Sequence, residues 1–253
     1  MTEPVPIFQL LEVSKTYQGA TALAPLSLSI DRGEKVALVG PSGSGKTTLL
    51  HLLSGTIRPD RGSILLNGRD LSTLRPGREL ASLVGIMHQQ FDLVDSLPVI
   101  HNVLAGRLGE WGLLRSLLSL VIPQEAWRAK QALERVGLAD KIYRRTSQLS
   151  GGEQQRVALA RLLVQHPKVL LADEPVSSLD PARAEDLMNM LNRITVEEQL
   201  TLIVSLHSLQ HLHHFTRVIA LREGKLYFDR PAAEVNPNDL EELYVLSGVH
   251  GHG

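Results

Sequence analysis

A glycine-rich loop set between a short apolar strand and a helix restricts the fold of this chain more than any other feature. The run KVALV, Lys35 to Val39, passes into Gly40-Pro41-Ser42-Gly43-Ser44-Gly45-Lys46-Thr47 and then into TTLLHLLSG. This fits GxxxxGK[ST] with both halves of the context the motif requires. Glycines let successive N–H groups curl toward one anion, and the helix that follows presents its positive end to the same point. Lys46 adds a point charge for the outer phosphates, Thr47 a hydroxyl for Mg2+, and Thr48 continues the cradle. The loop reads as a nucleotide phosphate site formed by Gly40, Ser42, Gly43, Ser44, Gly45, Lys46, Thr47 and Thr48.

Such a site needs a partner strand that ends in acid. KVLLADEP, Lys168 to Pro175, supplies it: Asp173 to hold the metal ion and Glu174 to polarise an attacking water.

The rest of the chain fits an α/β core. Apolar runs rich in β-branched residues, Ile7 to Val13, Leu26 to Ile30, Val36 to Val39, Ile64 to Leu66 and Leu83 to Met87, read as strands, with Asn67-Gly68 as a turn. From Pro98 to about His166 the pattern is helical, with amphipathic segments at Glu125 to Val136 and Gly151 to Gln165. Strands then return at Val169 to Ala172, Leu202 to Leu206, Val218 to Leu221 and Leu226 to Phe228, with Pro181 to Glu198 as a crossover helix. The expected division is a catalytic core with a β subdomain over residues 1–90 and 161–253, and a helical subdomain over 91–160.

Composition narrows the function classes. With 253 residues, 43% of them hydrophobic, and a formal charge of -1, the chain is a folded protein without a broad nucleic-acid footprint. The most apolar stretch, GLLRSLLSLVIP, falls well short of the roughly 20 residues of a spanning helix and contains Arg115. The start, MTEPVPIFQ, has no apolar signal core, so export is not expected. The absence of cysteine fits a reducing compartment and excludes thiol metal sites.

A second glycine pair lies in LSGGEQQR, Leu149 to Arg156. Ser150 offers a hydroxyl, Gly151 and Gly152 offer bare N–H groups at a helix start, and Glu153 completes a capping box. With the phosphate loop and acidic strand in this order, the chain resembles the ATP-binding subunits of ABC transporters over nearly all its length. The resemblance implies a P-loop NTPase core of the RecA-like kind, an antiparallel β subdomain and an inserted helical subdomain. It also implies that Ser150, Gly151, Gly152 and Glu153 cap the ATP held by a second ATP-binding chain in a head-to-tail dimer.

The smaller family motifs match one at a time. Tyr17 resembles the aromatic residue that stacks on adenine. Gln89, chosen over Gln90, resembles the glutamine that reaches Mg2+ and the water. Ser178-Leu179-Asp180 resembles a loop that crosses the dimer interface, and Asp180 also suits a helix cap before Pro181. His207, at the end of TLIVSLH, resembles the switch histidine at the γ-phosphate, whereas His211, His213 and His214 fall past the strand. The histidines do not read as a metal site, because no acidic or cysteine ligand set accompanies them in the sequence.

The resemblance implies an ATP hydrolase that uses ATP and Mg2+ and drives transmembrane permease subunits from the cytoplasmic face of the inner membrane, as a peripheral subunit. QQFDLVDSLPVIHNVLAGRLG, Gln89 to Gly109, with LREGKLYFDRP, is most similar to the ATPases of phosphonate importers. That kinship adds a substrate-binding protein as an indirect partner. An ATPase of a lipoprotein-releasing or cell-division complex is the alternative. A soluble ABC-type ATPase on ribosomes or DNA fits less well, lacking a second cassette or a long coiled coil.

Overall fold

The computed structural model describes residues 6–75, 77–88, 91–111, 118–119, 123–177, 179–207 and 209–245. Within them, ten strands form two sheets. The larger runs in the order β10 (Lys225–Pro231), β9 (Arg217–Arg222), β3 (Lys35–Val39), β8 (Thr201–Ser205), β7 (Val169–Asp173), β6 (Val84–Met87). All its pairings are parallel except β9 with β10.

Strands buried on both faces read as unbroken apolar runs rather than alternations, and that is why KVALV, VLLAD and TLIVS look as they do. Val36 and Leu38 face one core, with Val169, Leu171, Ile203 and Ile219. Ala37 and Val39 face the other, with Leu170, Ala172, Leu202 and Val204. Fully burying a Leu, Ile or Val side chain favours the fold by roughly 1.5–3 kcal/mol.

The first core is closed by α1 (Lys46–Leu53) and by an antiparallel sheet of order β2 (Ala20–Ile30), β1 (Phe8–Tyr17), β4 (Arg61–Leu66), β5 (Arg69–Asp70). Of the expected strands Ile7 to Val13 and Leu26 to Ile30, Phe8 to Val13 and Leu26 to Ile30 are parts of the longer β1 and β2. They are joined by a tight turn at Gln18 and Gly19, both at positive φ. Asn67-Gly68 forms the expected turn between β4 and β5, again with positive φ at both residues, the geometry that matches strand twist.

The second core is covered by α5 (Gly151–Leu163) and α6 (Pro181–Glu197), joined by α3 (Val99–Leu104) and α4 (Ala126–Arg135). Asp180 caps α6, its carboxylate accepting from Arg183 N–H at 3.1 Å, with Pro181 in the first turn. Two further helices among the described residues are α2 (Arg78–Ala81) and α7 (Pro237–Val245). Most of GLLRSLLSLVIP lies outside the described residues, and among those described no helix is long and apolar enough to cross a membrane.

Candidate functional site

The phosphate loop leaves the C-terminal end of β3, the edge where open α/β sheets bind ligands. It enters α1 through Gly45, whose φ of 102° at the N-cap is left-handed. A Cβ there would meet the Ala22 carbonyl at 2.7 Å, so glycine is required both by conformation and by the close approach of β2. The first turn of α1 contains no acidic residue, which leaves its N–H groups and their positive end uncompensated.

Ala22, Ser42, Gly43, Ser44, Gly45, Lys46, Thr47, Thr48 and Glu174 line one cleft of about 310 Å³. Lys46 is buried and donates to the carbonyls of Gly40 and Pro41 at 2.7 and 3.1 Å. Burial lowers its pKa, while the carboxylates of Glu174 and then Asp173 oppose that shift. The Ser44 hydroxyl is buried without a hydrogen-bond partner among the described residues. An ammonium, an unused hydroxyl and uncompensated amides around one cleft fit a polyphosphate, and the Thr47 hydroxyl with Asp173 fits a hard cation such as Mg2+.

Opposite the loop, β7 and β8 end together. Ser205 pairs in register with Leu38 on one side and Asp173 on the other. Its hydroxyl donates to the buried Asp173 carboxylate at 2.6 Å and accepts the Glu174 N–H at 2.8 Å. Glu174 itself holds φ at 49°, a left-handed conformation that costs a non-glycine residue of order 1–3 kcal/mol and collects at functional sites. Its Oε1 stands 2.5 Å from His207 Nε2. His207 follows the strand end by two residues, since β8 stops at Ser205 rather than at the expected Leu206.

The structure therefore brings together Ser42 to Thr48, Asp173, Glu174 and His207. It does not bring Ser150, Gly151, Gly152 and Glu153 to them. Ser150 caps α5, accepting from Glu153 N–H at 3.4 Å, while the Glu153 carboxylate accepts Ser150 N–H at 2.9 Å. Pairing with Lys141, and then the Ser150 N–H, holds the Glu153 carboxyl below its ordinary pKa. Ser150, Gly152 and Glu153 line a separate cleft of about 430 Å³ with Leu179, Arg183 and Asp186. The Gln155 side-chain amide of α5 donates to the Pro175 carbonyl, two residues past the end of β7.

Tyr17 ends β1 with its ring about half exposed and Lys15 Nζ 5.6 Å from the ring centre. Gln89, its neighbour Gln90, and Ser178 lie outside the described residues. Two residues escaped the sequence reading. Ser205 sits in an apolar run with no motif to mark it, its only signal being a polar residue at a buried strand end. Tyr244 on α7 accepts Gly40 N–H at 3.3 Å. Burial raises its pKa, the Gly40 bond opposes this, and Glu174 adds to the rise. No local pattern marks Tyr244, because the contact spans 204 residues.

The reading of the later histidines needs correction. Glu185, from α6, accepts from or abuts His211, His213 and His214, so a carboxylate does accompany them in space.

The sequence pattern of the ABC transporter family matches residues 23–177. The chain belongs to the ABC transporter family. Its fold is that of the ABC ATPases, and it is an ATP hydrolase of the ABC type. The phosphonates import ATP-binding protein PhnC of Anaeromyxobacter dehalogenans strain 2CP-C is 47% identical over 244 residues, covering 95% of this chain. The chain spans about half of that relative, 49% of its length. The phosphonates import ATP-binding protein PhnC 1 of Pseudomonas syringae pv. syringae strain B728a is 46% identical over 230 residues, 89% of this chain and 86% of that protein. Among solved structures, a dimeric bacterial ABC transporter cassette superposes with a TM-score of 0.76 at 30% identity, over 89% of this chain and 98% of the other.

Proposed function

We propose that this ABC ATPase powers the import of phosphonates or a related phosphorus oxyanion, as one half of a head-to-tail pair of ATP-binding chains. The observation that carries the shared site is the separation of the two glycine motifs. Ser150, Gly152 and Glu153 line a cleft of their own, and none of them lines the phosphate-loop cleft. A second copy turned end for end offers its LSGGE segment to the nucleotide held by Lys46, as the dimeric state of the cassette compared above suggests.

When bound, ATP and Mg2+ supply the leaving group and the Lewis acid. The chain's own residues do the rest. Gly40 and Ser42 to Thr48 would hold the phosphates, with the Lys46 ammonium, here on the Gly40 and Pro41 carbonyls, as their counter-charge. Thr47, Asp173 and Gln89 would hold the metal, and Ser205 fixes the Asp173 carboxylate. Glu174 orients water and takes its proton, and His207, already beside that carboxylate, senses the outer phosphate. Tyr17 stacks on the adenine.

Transmembrane permease subunits dock against the helical segment 91–160 at the cytoplasmic face of the inner membrane, and a substrate-binding protein acts through them. The names of the two relatives support phosphonate as the cargo. Uptake of a radiolabelled phosphonate, with phosphate as competitor, tests this in cells carrying either the native chain or Glu174→Gln. Loss of phosphonate uptake with the variant expressed is the expected result. Unchanged uptake without a redundant system would remove the substrate assignment.

A further inference from the structure

We propose that Glu185, His213 and His214 form a binding site for a divalent transition-metal ion of the zinc type, separate from the nucleotide site. Glu185 lies on α6, and the histidines on the short 3₁₀ segment Leu209–His214. Glu185 Oε1 is 3.0 Å from His214 Nε2 and 3.4 Å from His213 Nε2, and one ligand atom of each residue lies within 4.8 Å of the others. Around a tetrahedral ion with bonds of about 2.0–2.1 Å, ligand atoms lie roughly 3.3 Å apart, and both separations to Glu185 Oε1 match that spacing. Imidazole with carboxylate suits zinc-type ions rather than Mg2+ or Ca2+. His214 is buried and His213 exposed, which gives the ion an outer face by which to enter.

The hydrogen bonds around the cluster set which nitrogens face the carboxylate. His213 Nδ1 lies 2.9 Å from the Gln210 carbonyl and donates to it, which leaves Nε2 as the ring nitrogen that faces Glu185 Oε1 and would ligate an ion.

His214 is held differently. Lys35 Nζ, a donor only, takes Asn192 Oδ1 at 2.9 Å, so the Asn192 amide nitrogen donates to His214 Nδ1 at 2.7 Å. The remaining proton of His214 sits on Nε2 and is donated to Glu185. Ligation by Nε2 requires the other tautomer, with the Asn192 amide turned so that its oxygen accepts Nδ1–H and Lys35 is left to water. An aspartate at 192 would accept that proton and keep Lys35 paired. Carboxylate partners of this kind strengthen metal sites by about 10–100-fold. His211, whose Nδ1 lies 3.2 Å from the second oxygen, Oε2, orients the carboxylate.

The test titrates Zn2+ alone into the full chain, freed of metal by a chelator and without nucleotide, against a chromophoric competitor. One ion per chain should bind in the native protein and in a His250→Ala, His252→Ala chain, which controls for the tail. Glu185→Gln and His213→Ala should each weaken binding by about tenfold or more, and Asn192→Asp should tighten it by about tenfold. Circular dichroism qualifies each variant as folded, and the exposed His213→Ala remains informative if Glu185→Gln does not fold. Equal affinity in native and His213→Ala chains, or loss only on removing the tail histidines, would overturn the site.

Discussion

Asp173 and Ser205 face each other in register across β7 and β8, and the Ser205 hydroxyl donates to the Asp173 carboxylate at 2.6 Å. The same oxygen accepts the Glu174 amide, so one side chain sets both acids. Ser205→Ala leaves a buried carboxylate and an amide each short of a partner, at a cost of about 1–3 kcal/mol. Urea unfolding should show that loss. Steady-state ATPase assays should show kcat falling more than apparent ATP affinity, because the phosphate loop is untouched.

Glu174 combines a strained backbone with the proposed role of base. Glu174→Gln keeps the shape and should lower turnover by roughly a hundredfold or more, within the range of general-base contributions. Glu174→Gly also removes the base, yet glycine accepts a φ of 49° without penalty. Its unfolding midpoint should therefore equal or exceed that of the native chain while its turnover is lost. A clear drop in stability would mean that the side chain, and not function, holds the backbone there.

The start of the phosphate loop tolerates no side chain. A Cβ on Gly40 would fall 2.1 Å from the Leu221 carbonyl and 2.8 Å from Ser44 Oγ, at a φ of 145°. Gly40→Ala should destabilise the fold by about 2 kcal/mol or more, and should lose nucleotide binding in equilibrium titration.

The local parts of this site were legible in the sequence because each is carried by a short run with its own chemistry. GPSGSGKTT states its turn, its charge and its helix start, and LADEP states a strand that ends in acid. What escaped depends on residues far apart in the chain. Ser205 gains its role only when β8 lies between β3 and β7, Tyr244 only when α7 returns to Gly40, and Glu185 only when α6 packs beside the turn after His207. The β1–β2 hairpin was read short because its apolar residues alternate with polar ones on a half-exposed sheet, and Gln18-Gly19 carries a weaker turn signal than Asn67-Gly68.

A pH dependence follows from His166. Desolvation first, and then the guanidiniums of Arg128, Arg107 and Arg135, lower its pKa, with Glu110 opposing. The unfolded chain therefore takes up this proton first, below about pH 6.5, so the stability present above that pH is lost as pH falls toward the folded pKa. His166 holds φ at 51°, which asparagine tolerates. In His166→Asn the difference in denaturant midpoint between pH 7.5 and 5.5 should shrink. An unchanged difference would assign the acid sensitivity to other groups.

The shared site is tested most directly by sedimentation of the Glu174→Gln chain with ATP and Mg2+. The account predicts a nucleotide-dependent dimer with two occluded ATP molecules, abolished by Ser150→Arg in both chains. In a mixture of Ser150→Arg and Lys46→Ala chains, each also carrying Glu174→Gln, one occluded ATP should remain. A chain that binds ATP tightly yet stays monomeric with its permease subunits present, or a Ser150→Arg chain that still occludes two nucleotides per dimer, would contradict it.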